Sequence, residues 1–315
     1  MDLKSSSEIF NSVIKKFIFI FTLLIAFSVS GKLYAQEHSE TKSTENIHIA
    51  DDEGKFDIID RVVDHHYIDF YFLGKLPLPH FEPVHFLGMT FDFSITKSLF
   101  MVFLTCVLTT LLLMYSAASN KKNRVPKGLG NMVESLIVFV RDEIVLPNMG
   151  KSGLPLMPFF LTLFFFIMIA NLVGLFPFMA QPTKNINVTA GLALITFFVT
   201  QAKGIQAHGV VNYFKGIVPP GVPAFLLPIM ILIEFIGLFT KPFSLLMRLF
   251  ANITAGSIII FSLIGLIFVM SYTGTLIAIP LGLFIYMLEI FIALLQAYIF
   301  TMLSVLYIDM AVHQH

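Results

Sequence analysis

The sequence predicts an all-α, polytopic membrane protein with five membrane-inserted helices and one amphipathic surface helix. Hydrophobic residues make up 57% of the 315 residues and charged residues only 13%, whereas an ordinary soluble domain is about 25% charged. The mean hydropathy is +0.84. Uncharged apolar runs recur along the chain, and the longest exceed the roughly 20 residues that a helix needs to cross a bilayer.

The N-terminus has the pattern of a secretory signal peptide over residues 1–35. Lys15 and Lys16 precede an apolar run of residues 17–30, and a small-residue cleavage site ends at Ala35. The run is short for a spanning helix, so we predict cleavage after Ala35. An uncleaved anchor helix is the alternative.

Residues 36–96 are predicted to be an exported acidic segment. They carry twelve Asp and Glu against four Lys and Arg, together with six of the nine histidines. The histidines lack the spacing of ligands on one helix, so a solvated segment is a better interpretation than a metal site.

Residues 97–315 are predicted to be the membrane domain, and Ser98–Ala117 is its first span. Four basic residues follow with no acid among them, namely Lys121, Lys122, Arg124 and Lys127. Because basic loops remain in the cytoplasm, we predict that the mature N-terminus lies outside and the C-terminus in the cytoplasm.

Residues 130–147 predict an amphipathic helix that lies on the cytoplasmic membrane surface. Its apolar residues recur at helical spacing, namely Val133, Leu136, Ile137, Val140 and Ile144. Its charged residues lie on the other face, namely Glu134, Arg141, Asp142 and Glu143. Such a pattern is typical of an interfacial helix. A cytosolic docking helix is the alternative.

Two more spans are predicted over residues 158–180 and 188–202, as an apolar hairpin with its short turn outside. Residues 224–308 then form two long apolar stretches that part near Ser271–Thr275. A helix of about 35 residues is about 50 Å long, against about 30 Å of hydrocarbon. These last two helices must tilt, kink or lie partly along the membrane, and we predict a long tilted hairpin.

A stripe of polar side chains interrupts the first of these long helices. Glu234, Lys241 and Arg248 are spaced by seven residues, which places all three on one side of a helix. Asn252 lies one turn beyond Arg248 on the same stripe.

On the last helix, Glu289 and Gln296 are also seven residues apart and share a face. One interpretation is structural: Arg248 pairs with Glu289, and the amides bridge helices. The other is an ion path, which needs hydrophilic stepping stones, a titratable acid and a fixed charge that blocks leakage. A guanidinium in hydrocarbon costs roughly 2.5–3.5 kcal/mol and cannot lose its proton, so the full set favours the ion path.

These residues resemble subunit a of the rotary F-type ATP synthases, the membrane stator component. Lys241–Gly256 is similar to the helix that carries the family's essential arginine, and Leu294–Phe300 followed by Tyr307 is similar to its final helix. Asn171 and residues 187–189 also resemble family positions. The resemblance extends over residues 90–312.

The resemblance implies specific roles in proton translocation. Arg248 would face the ring of c subunits and keep two aqueous half-channels apart, while Asn252 and Gln296 would line the path near it. Asn171 would line the half-channel that opens outside, and Glu234 would lie toward the cytoplasmic one.

Three positions depart from the pattern of many bacterial members. The family's Glu nine residues after the arginine and His seven residues before the glutamine are replaced by Ser257 and Glu289. The carboxylate has thus moved across the helix pair, and we predict that Glu289 is the proton acceptor of a half-channel, with Ser257 at the matching site. Position 174, near Asn171, is Gly where Asp is usual.

The implied function is that of the proton-channel stator subunit of the Fo sector during ATP synthesis, in a bacterial inner membrane. The implied partners are the c-ring, the stator subunit b, the F1 sector and the lipid bilayer. No catalytic site, metal, cofactor or nucleic acid is expected, and the sequence contains no P-loop. An ion-coupled carrier and an intramembrane protease are alternatives, but the sequence lacks an inverted repeat and an evident nucleophile–base pair.

Overall fold

The computed structural model describes residues 67–70, 74–77, 84–86, 89–91, 96–122, 128–176, 179, 181–216 and 225–313. The strand residues between 67 and 91, and residues 119–122, 214–215 and 268–274, are described by their backbone alone. The predicted signal peptide over residues 1–35 lies outside the described residues, as do Arg124 and Lys127 of the basic cluster.

Four short strands precede the membrane domain. β1 (Tyr67–Phe70) pairs antiparallel with β2 (Gly74–Pro77), and β3 (Val84–Phe86) pairs antiparallel with β4 (Met89–Phe91). The two pairs form separate two-stranded sheets. The aromatic and β-branched residues of this stretch favour strands, and the sequence analysis had not identified them.

The first membrane helix, α1 (Lys97–Lys122), covers the first predicted span. Its start is capped by Thr96, whose hydroxyl accepts the backbone N–H of Leu99 at 3.3 Å. The hydroxyls of Thr105 and Thr109 donate to backbone carbonyls four residues earlier, at 2.8 and 2.7 Å. These hydroxyls are therefore satisfied inside the helix, which lets them lie in an apolar environment.

The amphipathic stretch begins as α2 (Leu129–Phe139), continues as a π-helix over Val140–Val145 and ends as the short α3 (Leu146–Met149). Its apolar face is buried, because Val133, Val140 and Ile144 are at most 3% exposed, while Glu143 is exposed. The wider π-helical turn precedes Pro147, which cannot donate a backbone N–H and whose ring crowds the carbonyl four residues earlier. The stretch thus packs onto the rest of the membrane domain.

A 3-10 turn over Gly150–Leu156 leads into α4 (Met157–Gly174), the central helix of the domain. Fifteen of its 18 residues are buried. Its length of about 27 Å is close to the roughly 30 Å of a bilayer's hydrocarbon core. A helix that is apolar on every side is stable only when it is covered all round, and here α1, the π-helix over Val140–Val145 and the last helix contribute to that cover.

After a 3-10 turn over Pro182–Lys184, α5 (Ile186–His208) and the short α6 (Val210–Lys215) follow. α6 folds back on α5 through Gly209, whose φ of 78° suits a glycine. The ring of Tyr213 lies where a side chain on Gly204 would otherwise be, and its hydroxyl donates to Gln201 Oε1 at 2.8 Å. Both α4 and α5 pack mainly against the last helix rather than against each other, which amends the predicted apolar hairpin.

The last helix, α7 (Leu227–Val312), runs for 86 residues and doubles back on itself. In a straight helix, Asn252 and Gln296 would be about 66 Å apart, but their side-chain amides are hydrogen-bonded at 3.2 Å. Two arms, Leu227–Ile267 and Thr275–Val312, therefore lie side by side. This confirms the predicted hairpin, and arms of 41 and 38 residues are longer than a bilayer is thick, so they must tilt, kink or lie partly along the membrane.

Five helical stretches of the described chain are long and apolar enough to cross a membrane, which confirms the predicted fold class. They differ in how much the rest of the chain covers them. In Leu129–Gly174, 89% of the most apolar 18-residue stretch is buried inside the protein, against 11% of the corresponding stretch in each arm of α7. The outer faces of the two arms are therefore left to lipid or to another membrane protein.

Candidate functional site

The first arm of α7 presents Arg248 on an exposed helix face. Its neighbours Leu245 and Leu249 point into the core and are at most 1% exposed, so the packing of the arm fixes the direction in which Arg248 points. No ion pair joins Arg248 to Glu289 in the part of the chain that the structure describes. The structural alternative, in which these two residues pair, is therefore not what this chain adopts.

One turn beyond Arg248, two amides connect the arms. Asn252 Nδ2 donates to Gln296 Oε1 at 3.2 Å. Gln296 is 1% exposed, and among the described residues its Nε2 has no hydrogen-bond partner. A buried donor without an acceptor costs about 1–3 kcal/mol. The amide pair therefore offers an unused donor close to the exposed face that carries Arg248.

Glu289, on the second arm, reaches across to the first. A Cβ added to Gly256 would collide with Glu289 Oε1 and lie 3.2 Å from its Cγ and Cδ. Ser257, the next residue, is buried and donates to the carbonyl of Ile253 at 2.9 Å. The carboxylate on the second arm thus lies at the level of Ser257 on the first arm.

Asn171 of α4 is completely buried beside the second arm. Its Nδ2 lies 3.4 Å from the carbonyl oxygen of Ala293, one turn beyond Glu289. Its Oδ1 accepts the hydroxyl of Thr183 at 2.8 Å. Asn171 is therefore held with its amide turned toward the segment that contains Glu289.

The connection between α4 and α5 contributes three residues that were not among the predicted site residues, namely Gln181, Thr183 and Lys184. Gln181 is 5% exposed, and its Oε1 lies 3.5 Å from Ser257 Oγ. Its side chain occupies the space beside Gly174, because a Cβ added there would overlap it. The sequence signal was a set of polar residues in a short turn between two apolar spans, which does not reveal that they point inward.

Lys184, at the end of the same connection, is a basic residue close to these groups. Its Nζ lies 5.8 Å from the ring centroid of Phe261, one turn past Ser257. Burial lowers the pKa of Lys184 to about 8, the charge of Glu289 raises it, and the charge of Lys97 lowers it further. Lys184 and Glu289 are therefore electrostatically coupled.

These residues form what we term the Glu289 cluster: Asn171, Gln181, Thr183, Lys184, Ser257 and Glu289. Glu234 lies elsewhere, in a cavity of about 340 Å³ between α5, α6 and the two arms of α7. We term this space the Glu234 cavity, and its other ionisable lining residues are Lys241, Tyr213, Tyr307, Asp309 and His313.

The two polar regions are separated along the first arm. At 1.5 Å per residue, Glu234 lies about 21 Å from Arg248 on one side, and Ser257 about 14 Å on the other. The structure thus divides the predicted residues into the Glu289 cluster, the Glu234 cavity and, between them, the level of Arg248, Asn252 and Gln296. Ionisable groups inside membrane-spanning helices commonly mark ion pathways and proton relays.

The fold defines a multi-pass membrane protein whose membrane domain is helical and carries buried polar side chains. Residues 99–309 match the family model described as "ATP synthase A chain". The chain is 46% identical to the ATP synthase subunit a of Chloroherpeton thalassium over 266 residues, which cover 83% of this chain and 78% of that one.

Two further relatives agree with that match. The chain is 46% identical over 230 residues to the ATP synthase subunit a of Myxococcus xanthus, with 71% of this chain and 76% of that one covered. It is 39% identical over 304 residues to ATP synthase subunit a 2 of Prosthecochloris aestuarii, with 93% and 92% covered. The chain belongs to the ATP synthase A chain family, which confirms the resemblance seen in its sequence.

Proposed function

We propose that this chain is the proton-channel stator subunit of the Fo sector, and that it conducts protons through two half-channels to and from a c-ring. The observation that carries the proposal is the arrangement along α7. Two separate polar regions, the Glu289 cluster and the Glu234 cavity, lie on either side of the exposed Arg248. A straight-through pore would not need that separation.

The Glu289 cluster supplies the half-channel that opens outside. Asn171 and Gln181 contribute amides that can hold water or pass protons along hydrogen bonds, and Glu289 is the titratable acceptor. Asn252 and Gln296 then extend the polar path toward the exposed face of the first arm. A proton arriving by this route neutralises one carboxylate of the c-ring, and that site then rotates into lipid.

The Glu234 cavity supplies the half-channel that opens to the cytoplasm. After almost a full turn, the ring carboxylate reaches this side and releases its proton into the cavity. Arg248 forces the release, because a fixed positive charge favours the ionised carboxylate over the neutral acid. The guanidinium keeps its charge at any physiological pH, so protons do not pass directly from one half-channel to the other.

The remaining partners follow from the same proposal. The exposed outer faces of the α7 arms are covered by the c-ring and by lipid, and subunit b and the F1 sector complete the complex in which ATP is made. The mature N-terminus lies outside a bacterial inner membrane and the C-terminus in the cytoplasm. The chain itself carries out no chemistry on ATP.

Substitution of Arg248 tests the proposal in inside-out membrane vesicles that are matched for the amount of assembled complex. Arg248→Ala should co-purify with a c-ring and soluble ATPase subunits, abolish ATP-driven acidification and allow passive proton leakage. Arg248→Lys should also fail, because a lysine can lose its proton and lacks the planar guanidinium. Lys203→Ala is the matched control, since Lys203 is a basic residue of α5 whose ammonium group donates to Gln206 on its own helix, at 2.8 Å.

Normal acidification by assembled Arg248→Ala complexes would refute the proposed function. Failure of the unsubstituted protein to co-purify with a c-ring would refute it as well. Loss of assembly without any leak in the assembled fraction would show that Arg248 has a structural role instead.

A further inference from the structure

The Glu234 cavity is lined by ionisable residues that are not among the seven predicted site residues. Its volume of about 340 Å³ has room for about ten water molecules at about 30 Å³ each. Its lining includes two residues from the C-terminal end of α7, Asp309 and His313. Glu234 is contributed by the opposite arm, so acids from both arms face one space that is large enough for several water molecules.

Asp309 and His313 are bonded to each other at the edge of this cavity. Asp309 Oδ1 and His313 Nδ1 are 2.8 Å apart, one helical turn from each other. The side chain of His313 is 55% exposed and that of Asp309 is 25% exposed. The pair therefore extends from the surface of the protein into the cavity.

We propose that Asp309 and His313 form a proton-exchange pair, which passes protons between the Glu234 cavity and the water outside it. This inference rests on the proposed function, because it assigns the outer end of the half-channel that contains Glu234. A proton released by a ring carboxylate moves through cavity water and Glu234 to Asp309 and His313, and the imidazolium gives it to bulk water. During ATP hydrolysis the same proton moves in the opposite direction.

The residue types fit this role. Histidine is the side chain that ordinarily gains and loses a proton between about pH 5 and 8, and a carboxylate bonded to it keeps the imidazolium oriented. The described groups that face the pair across the cavity are Glu234 and Lys241 of the first arm and Tyr213 of α6. The cavity thus brings two carboxyl groups from opposite arms and one lysine together with the imidazole.

A second histidine at the same end of the protein provides a control. His208, at the end of α5, contacts the carbonyl oxygen of Val312 through its Nε2 at 2.9 Å, and it does not line the cavity. His208 and His313 thus both contact the last turn of α7, but of the two only His313 lines the Glu234 cavity. A merely structural effect at this helix end would affect both histidines in the same way.

The test uses assembled complexes in inside-out vesicles, so that the C-terminal end of α7 meets the external medium. In weakly buffered medium, His313→Gln and Asp309→Asn should lower the initial rate of ATP-driven acidification several-fold. Added imidazole, a small mobile proton carrier, should restore most of the rate in both variants. His208→Gln should show no rate loss that imidazole relieves.

The inference is overturned if His313→Gln and Asp309→Asn both pump at the unsubstituted rate in weakly buffered medium. It is also overturned if their rates fall but do not respond to imidazole, because that pattern indicates a structural defect. Neither outcome bears on the proposed function, which the Arg248 variants test separately.

Discussion

The carboxylate of Glu289 occupies the space beside Gly256 in which a side chain on the facing arm would otherwise lie. Only a glycine at this position lets the two arms keep their present separation with the carboxylate between them. The absence of a side chain on the first arm therefore determines where the titratable group of the second arm lies. In this chain the carboxylate and the space that it occupies come from opposite arms of one hairpin.

Gly256→Ala should displace the Glu289 carboxylate and slow proton-driven ATP synthesis several-fold. The added Cβ overlaps Glu289 Oε1, and overpacking of this kind costs about 1–3 kcal/mol unless the side chain moves away. The measurement is the rate of ATP synthesis per assembled complex. Gly282→Ala, also in α7, is the control because its added Cβ meets nothing within 4 Å. Equal losses in the two variants would contradict the prediction.

Glu289→Gln should reduce proton-driven ATP synthesis by about 100-fold, the lower range of what a positioned proton-transfer group contributes. Adding Ser257→Glu should restore part of the activity, because Ser257 lies beside the glycine against which Glu289 packs. Adding Ser262→Glu instead should restore nothing, since Ser262 is exposed and its hydroxyl donates to the carbonyl of Ile258 on its own helix. Unchanged proton pumping by Glu289→Gln vesicles would remove Glu289 from the path.

Lys184 should impose a pH dependence on proton uptake through the Glu289 cluster. Its pKa is lowered to about 8 by burial, against the opposing effect of the Glu289 charge. Below about pH 8 the lysine carries a positive charge near Glu289, and above that pH it is neutral, so the electrostatic field on the Glu289 cluster changes. The rate of ATP synthesis should therefore change slope near pH 8 when the pH is varied on the side where Lys184 lies.

Two substitutions bracket this effect. Lys184→Gln is neutral throughout and should show the high-pH behaviour at every pH. Lys184→Arg remains charged and should extend the low-pH behaviour above pH 8. An inflection near pH 8 that persists in both variants would assign it to a different group.

The spans and the hairpin could be predicted because they depend on local properties of the sequence. Uncharged runs set the positions of the helices, and the seven-residue spacing of Glu234, Lys241 and Arg248 sets their common stripe whatever the tertiary structure. The length of the two last stretches required that they tilt, kink or lie partly along the membrane. These inferences needed only helical geometry and the thickness of a bilayer.

The inward turn of Gln181 could not be predicted, because it depends on a contact between residues far apart in the chain. Gln181 meets Ser257 across 76 positions, and no periodicity of the sequence links them. The separation of the polar residues into two regions could not be predicted either. Asp309 and His313 line the same cavity as Glu234 only because the second arm folds back along the first. The π-helical turn before Pro147 reflects local crowding that hydropathy does not register.

Gly174→Ala should destabilise the connection that carries Gln181. The added Cβ would overlap the Gln181 side chain and lie 2.6 Å from both its Cα and its Cβ. Part of that clash is with backbone, so rotation of the side chain cannot relieve it, and a loss of about 1–3 kcal/mol is expected. The purified complex should therefore release this subunit at a lower temperature, and ATP synthesis should fall because Gln181 no longer faces Ser257.

Adding Gln181→Gly to Gly174→Ala removes the side-chain atoms that clash and leaves only the contact with the Gln181 backbone. The double variant should regain part of the lost thermal stability, since substitutions of residues in contact are not additive. It should not regain ATP synthesis, because the amide beside Ser257 is then missing. Full additivity of the two stability losses would show that Gly174 and Gln181 do not interact. Recovery of ATP synthesis together with stability would show that the Gln181 amide is not part of the proton path.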